Sequence, residues 1–194
     1  MMIDRRLFLA LLAGGLATPA AAQNSSKNGA TMSSVTAYAF SFDGLDGGAI
    51  RLADFAGKPI IVVNTASLCG YTPQYAGLEQ LFTRFHKRGL MMIGVPSNDF
   101  GGQEPGGPAE IHETATREYG VTFPLTAKAE VKGPNAHPFY RWAASERPTE
   151  MPQWNFHKYL VGIDGHIAAV FATAVEPMDS RIVDAVTNEL TRMG

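Results

Sequence analysis

Cysteine is almost missing from this chain: among 194 residues there is one, Cys69, so no disulfide can form within it. Basic clusters are missing too. With a formal net charge of −2 and its lysines and arginines scattered, the sequence offers no footprint for nucleic acid. No apolar run approaches the roughly 20 residues that a membrane span needs. Internal repeats and low-complexity segments are likewise absent. What is left is the composition of a folded globular protein, long enough for one domain with a sizeable core and some extra length.

The extra length stands at the N-terminus. "MMIDRRLFLALLAGGLATPAAAQ" places Arg5 and Arg6 before an apolar run from Leu7 to Ala17, followed by the small residues Ala20 and Ala22. This is the n-region, h-region and A-x-A order of a secretory leader. Twin arginines before Leu7, Phe8 and Leu9 resemble the address of the bacterial twin-arginine export route. The organisation expected is a signal peptide over residues 1–22, a disordered linker over 23–34 and one domain over 35–194. Export would place the protein in the periplasm, with no stable membrane insertion once the leader is cut. Met32 offers an alternative start for a cytosolic form. In an oxidising compartment a lone cysteine is either a free reactive thiol or an intermolecular bridge.

Periodicity outlines the domain. "AYAFSF" (residues 37–42), "DGLDGG" and "AIRL" (49–52) read as a β-hairpin. The β-branched run "PIIVVNTA" (59–66) and "LMMIGVPS" (90–97) read as buried strands. Tyr75, Leu78, Leu81, Phe82 and Phe85 recur at helical spacing within residues 72–88. Helices are also expected over 108–120, which opens on Pro108 and ends on Gly120, and over 137–146. Two strands turn about Asp164 and Gly165, and a last helix follows Asp179 as its cap. This order fits an α/β fold: a central mixed β-sheet flanked by helices, with an N-terminal β-hairpin.

Cys69 falls between a strand and a helix that Thr72 and Pro73 would open. Unpaired N–H groups and the positive dipole end at such a place favour thiolate over thiol, into a range of about 3.5–7.5. A thiolate there is a nucleophile, and attack on a peroxide makes it a sulfenic acid. The chemistry then needs neutral hydrogen-bond donors nearby, such as Gln, Asn or the Trp indole, because an acid would raise the thiol pKa. Asn98, Glu104, His112, His137 and His157 are scattered singly, without the spacing of a metal site, and read as structural.

"VNTASLCGYTPQYAGLEQL", "GVPSNDFGGQEPG" and "WNFHKYLVGIDG" resemble, in order and separation, the three signature segments of the glutathione peroxidase family. The similarity runs from about Ala37 to Leu190. It implies a thioredoxin-like fold and thiol-dependent reduction of hydrogen peroxide and organic or lipid hydroperoxides, in response to oxidative stress, without a prosthetic cofactor or metal. Cys69 matches the peroxidatic position in its cysteine form, and Gln103, Trp154 and Asn155 match the remaining three catalytic positions. Many cysteine-type members carry a second, resolving cysteine where Ala115 and Thr116 stand here, and Ser97 replaces another family cysteine. The resemblance therefore implies resolution by glutathione or another small thiol. Only "RPTEMPQ" separates "FYRWAASE" from "WNF", the short form associated with a monomer and an open site. A thiol–disulfide oxidoreductase would need a C-x-x-C pair, and Thr72 occupies its second position. Copper delivery would need a second thiol or a close histidine. The alternative kept open is a thioredoxin-like redox sensor without efficient turnover.

Overall fold

The computed structural model describes residues 34–194. The expected leader (1–22), all but the end of the linker (23–34) and Met32 lie outside the described residues. Strands β1 (Ser41–Asp43) and β2 (Ala49–Arg51) pair antiparallel. A second sheet holds β3 (Ile60–Thr65), β4 (Met91–Pro96), β5 (Lys158–Val161) and β6 (Ile167–Phe171) in the order β4-β3-β5-β6. Its β3–β4 pair is parallel, while β3–β5 and β5–β6 are antiparallel, so the sheet is mixed as expected.

Successive residues of β3 feed opposite cores. Ile61 and Val63 face Leu78, Leu81 and Phe85 of helix α1 (Gln74–Phe85) and Ile182 and Val186 of the C-terminal helix, Ser180–Thr191. Ile60 and Val62 face Phe139, Trp142 and Ala143 of the helix Pro138–Glu146. Helices therefore cover both faces, which is why β3 reads as an unbroken apolar run rather than an alternating one. Between β4 and that helix, α2 (Pro108–His112) continues as a π-turn over Glu113–Glu118. Pro138–Glu146 is α3 and Ser180–Thr191 is α4, the latter opened by Asp179 accepting the Arg181 N–H.

Three local expectations are corrected. The first hairpin is shorter: Ala37–Ala39 form a 3-10 turn, because the Ala37 N–H is committed to Gly165 O at 2.9 Å instead of to a strand partner. The helix expected from residue 72 begins at Gln74, with Pro73 as its N-cap. Thr72 does not cap it, since its hydroxyl is used elsewhere. Finally, the helix expected over 108–120 is widened by the π-turn before Gly120 closes it at φ +68°.

Candidate active site

Cys69 lies in the turn between β3 and α1 and is buried, with a free thiol. The turn is built by Thr72. Its Oγ1 accepts the Cys69 N–H at 3.0 Å and donates to Ala66 O at 2.9 Å, while the Thr72 N–H donates to Cys69 O. The thiol is thus tied to the end of β3 from both sides, and the hydroxyl that might have capped α1 holds the loop instead. The Tyr71 N–H points at Sγ, 3.4 Å away.

Gln103 reaches this loop through its backbone: its carbonyl accepts the N–H of Leu68, the residue before the cysteine, at 2.9 Å. Asn155 is fully buried and donates from Nδ2 to Gln103 Oε1 at 2.9 Å. With its oxygen so engaged, the Gln103 amide turns its NH2 away as a donor. Gly101 fits between the Gln103 side chain and the Trp154 ring: a Cβ there would sit 3.4 Å from each, at a φ of +67° that glycine adopts freely. The positive φ, rather than a lack of room, is what calls for glycine at this position. The two tryptophans differ. Trp142 is buried and donates its indole N–H to Val35 O, whereas Trp154 is 38% exposed and its indole nitrogen has no acceptor among the described residues. Trp154 and Tyr71 line one cavity, which brings the indole to the thiol loop. No described hydrogen bond joins Sγ itself to Gln103, Trp154 or Asn155.

Asn64, which pattern reading passed over as one more residue of a buried strand, anchors the Trp154–Asn155 segment. β5 stops pairing with β3 at Val63, so Asn64 faces the turn ahead of β5. Its Nδ2 donates to Trp154 O at 3.1 Å and its Oδ1 accepts the His157 N–H at 3.2 Å. Its own carbonyl accepts the Phe156 N–H at 2.6 Å. Phe156 is held there at φ +62°, a left-handed conformation that a bulky side chain adopts only under constraint. The ring compensates by full burial, edge-on to Tyr75. Lys158, also missed, is buried with Nζ donating to Gln74 Oε1 and Val175 O, both at 2.6 Å. Burial lowers its ammonium to about 8.

Of the five residues read as structural, His157 is buried with its ring Nε2 unpartnered among the described residues, while the other four have partners in the fold. Asn98 accepts the Glu104 N–H, His112 meets Asp46, and His137 caps α3 by accepting the Phe139 N–H. Glu104 is buried beside Ser67, and desolvation raises its carboxyl. Ser97 is buried and accepts the Asp99 N–H. Among the described residues no group of three or more His, Cys, Asp or Glu could hold a metal ion.

Residues 37–144 match the family model for glutathione peroxidase. The hydroperoxy fatty acid reductase of Synechocystis sp. is 45% identical over 151 residues, covering 73% of this chain and 89% of that protein. The chain belongs to the glutathione peroxidase family. Among solved structures, that of Trgpx in apo form agrees with a TM-score of 0.67 at 30% identity, covering 81% of this chain and 97% of the other. A thiol:disulfide interchange protein of the thioredoxin family from Chlorobium tepidum shares the fold alone, with a TM-score of 0.59 at 17% identity over 78% of this chain and 92% of that one. The fold is thioredoxin-like, and this glutathione peroxidase is a thiol-dependent peroxidase acting on hydroperoxides.

Two outcomes follow from this geometry. Replacing Asn64 by Ala frees Trp154 O and the His157 N–H from their partner, at about 1–3 kcal/mol for each buried group. Peroxide turnover should fall at least tenfold as Trp154 and Asn155 lose their anchor, measured with urea unfolding on the same protein. The second concerns acid. Desolvation, and then the Lys158 charge, lower the His157 imidazole from 6.5 to about 4. The unfolded chain takes up this proton below pH 6.5 and the folded chain does not until near 4, so stability present above 6.5 is lost as pH falls through that window. By pH 4.5 the wild type should lose about 2–3 kcal/mol that His157→Gln retains. Glu104, whose raised carboxyl works in the opposite sense, is common to both proteins and cancels in the difference. Equal pH profiles for the two would refute the assignment.

Proposed function

We propose that Cys69 is the peroxidatic nucleophile, with Gln103, Trp154 and Asn155 as the groups that serve it. The observation that carries the reading is the linkage of the thiol turn, Gln103 and Asn155 through two hydrogen bonds, Leu68 N–H to Gln103 O and Asn155 Nδ2 to Gln103 Oε1. The thiolate attacks the outer oxygen of a hydroperoxide. The O–O bond breaks, sulfur is oxidised to sulfenic acid, and the alkoxide leaves as alcohol after taking a proton. Gln103 Nε2 and the Trp154 indole N–H are the free donors for the departing oxygen, and Asn155 keeps Gln103 in that orientation.

Reduction is by an external small thiol, glutathione or a relative of it. The thiol attacks the sulfenic sulfur and expels water, and a second thiol then releases Cys69 and carries away a disulfide. Support comes from the cysteine count of one and from Ala115, which is fully buried in the same core cluster as Cys69. Both hydrogen peroxide and bulky lipid hydroperoxides are substrates. Leu68, Tyr71, Met151 and Trp154, four of the six exposed large hydrophobics among the described residues, favour the bulky ones. The enzyme works as a monomer in the periplasm, reached by the twin-arginine route through Arg5 and Arg6.

Intact mass after one equivalent of peroxide should show one added oxygen on Cys69, then one glutathionyl group when glutathione is present. Cys69→Ser should show neither and no turnover. Full-speed cycling on thioredoxin alone with no adduct would contradict the small-thiol reading. For export, Arg5→Lys with Arg6→Lys should leave the protein unprocessed in the cytoplasm; normal processing in the periplasm would assign it to the general secretory route.

A further inference from the structure

Two cavities meet at Trp154, and only one of them is lined by cations without a carboxylate partner among the described residues. The larger, about 630 Å³, runs between α3 and the segment before Trp154 and is walled by Phe100, Tyr140, Met151 and Trp154. Its charged residues are Lys132 and Arg141, with no acidic residue in its lining. Neither cation has a carboxylate partner among the described residues. The Lys132 ammonium stands 4.5 Å over the Phe100 ring, which keeps it at the cleft wall. Arg141 is anchored by donating to Ala136 O. The second cavity, about 510 Å³, lies on the Tyr71 side of the same indole. Its lining is largely apolar, it has no lysine or arginine, and its one carboxylate is Glu150, 3.7 Å from Arg147.

A hydroperoxide formed in the middle of a long acyl chain has two arms, one ending in methyl and one in a carboxylate. We infer that this peroxidase reads hydroperoxy fatty acids as free acids, with the carboxylate arm in the cleft of Lys132 and Arg141 and the methyl arm in the cavity of Tyr71. The inference rests on Cys69 being the peroxidatic residue and adds the direction in which the substrate lies. Three observations carry it. Both cavities share Trp154, so a chain whose hydroperoxide sits at the thiol loop can extend into each. Both are of a size that holds an organic ligand. The unpaired cations lie on one side only, while Glu150 on the other is partnered by Arg147, so a carboxylate is attracted into the first cleft and not into the second. A neutral ester of the same chain keeps the apolar contacts and loses the discrimination.

The test compares three peroxides with saturating thiol: a C18 hydroperoxy fatty acid below its micelle concentration, its methyl ester, and hydrogen peroxide. Two solvent-exposed charge contacts correspond to roughly a three- to tenfold effect. Wild type should show a KM for the acid lower than for the ester by that factor, and the gap should narrow with added salt. Lys132→Gln with Arg141→Gln should raise the KM for the acid by the same factor and leave the ester and hydrogen peroxide unchanged. Glu150→Gln should leave the acid preference in place. Equal KM values for acid and ester in the wild type, or a uniform loss on all three peroxides in the double variant, would overturn the inference while leaving Cys69 as nucleophile. So would sedimentation showing a dimer that the double variant dissolves, because a second copy would then fill the cleft. No turnover of any peroxide by wild type would remove both readings together.

Discussion

The site depends on one side chain that performs no chemistry. Asn64 sits where β3 outruns β5, and its amide, carbonyl and N–H together hold the turn over residues 154–157. That turn has to be held, because Phe156 is in a left-handed conformation costing on the order of 1–3 kcal/mol. In return, Trp154 stays exposed while Asn155 is buried against Gln103. A strand in the sheet core thereby positions an exposed indole and a buried amide near the thiol loop.

The thiol loop obeys a similar economy of polar groups. Thr72 uses one hydroxyl to accept from Cys69 and donate to Ala66, so the loop keeps its shape without a disulfide or a metal. The Tyr71 N–H is left aimed at sulfur, and the indole and amide donors of Trp154 and Gln103 have no acceptor among the described residues. Leu68, Tyr71 and Trp154 stand exposed around the thiol loop. This suits a long-chain peroxide, whose burial is favoured by about 0.8 kcal/mol for each methylene.

The candidate residues were legible because they occur in contiguous segments that resemble the family's signatures. Cys69, Gln103, Trp154 and Asn155 each lie in a quoted stretch, and the mixed sheet with helices on both faces follows from the order of periodic segments. The local misreadings have a common cause. Thr72 carries the residue type of a helix cap but spends its hydroxyl backwards, on Cys69 and Ala66, and residues 37–39 have the composition of a strand but commit the Ala37 N–H to distant Gly165. Asn64 and Lys158 were passed over because polar residues inside an apolar run give no periodic signal.

By itself, the sequence determined that this chain has one thiol and can form no internal disulfide, because a disulfide needs a second cysteine and the chain has one. It also determined the fold class, since apolar periodicity decides which faces must be buried. The tertiary structure alone decided which polar groups meet. The 90-residue separation of Asn64 from Trp154 and the 52 residues between Gln103 and Asn155 are closed only by strand pairing. The cationic lining on one side of Trp154 is likewise a property of packing, because Lys132 and Arg141 come to share one cleft only in the folded chain.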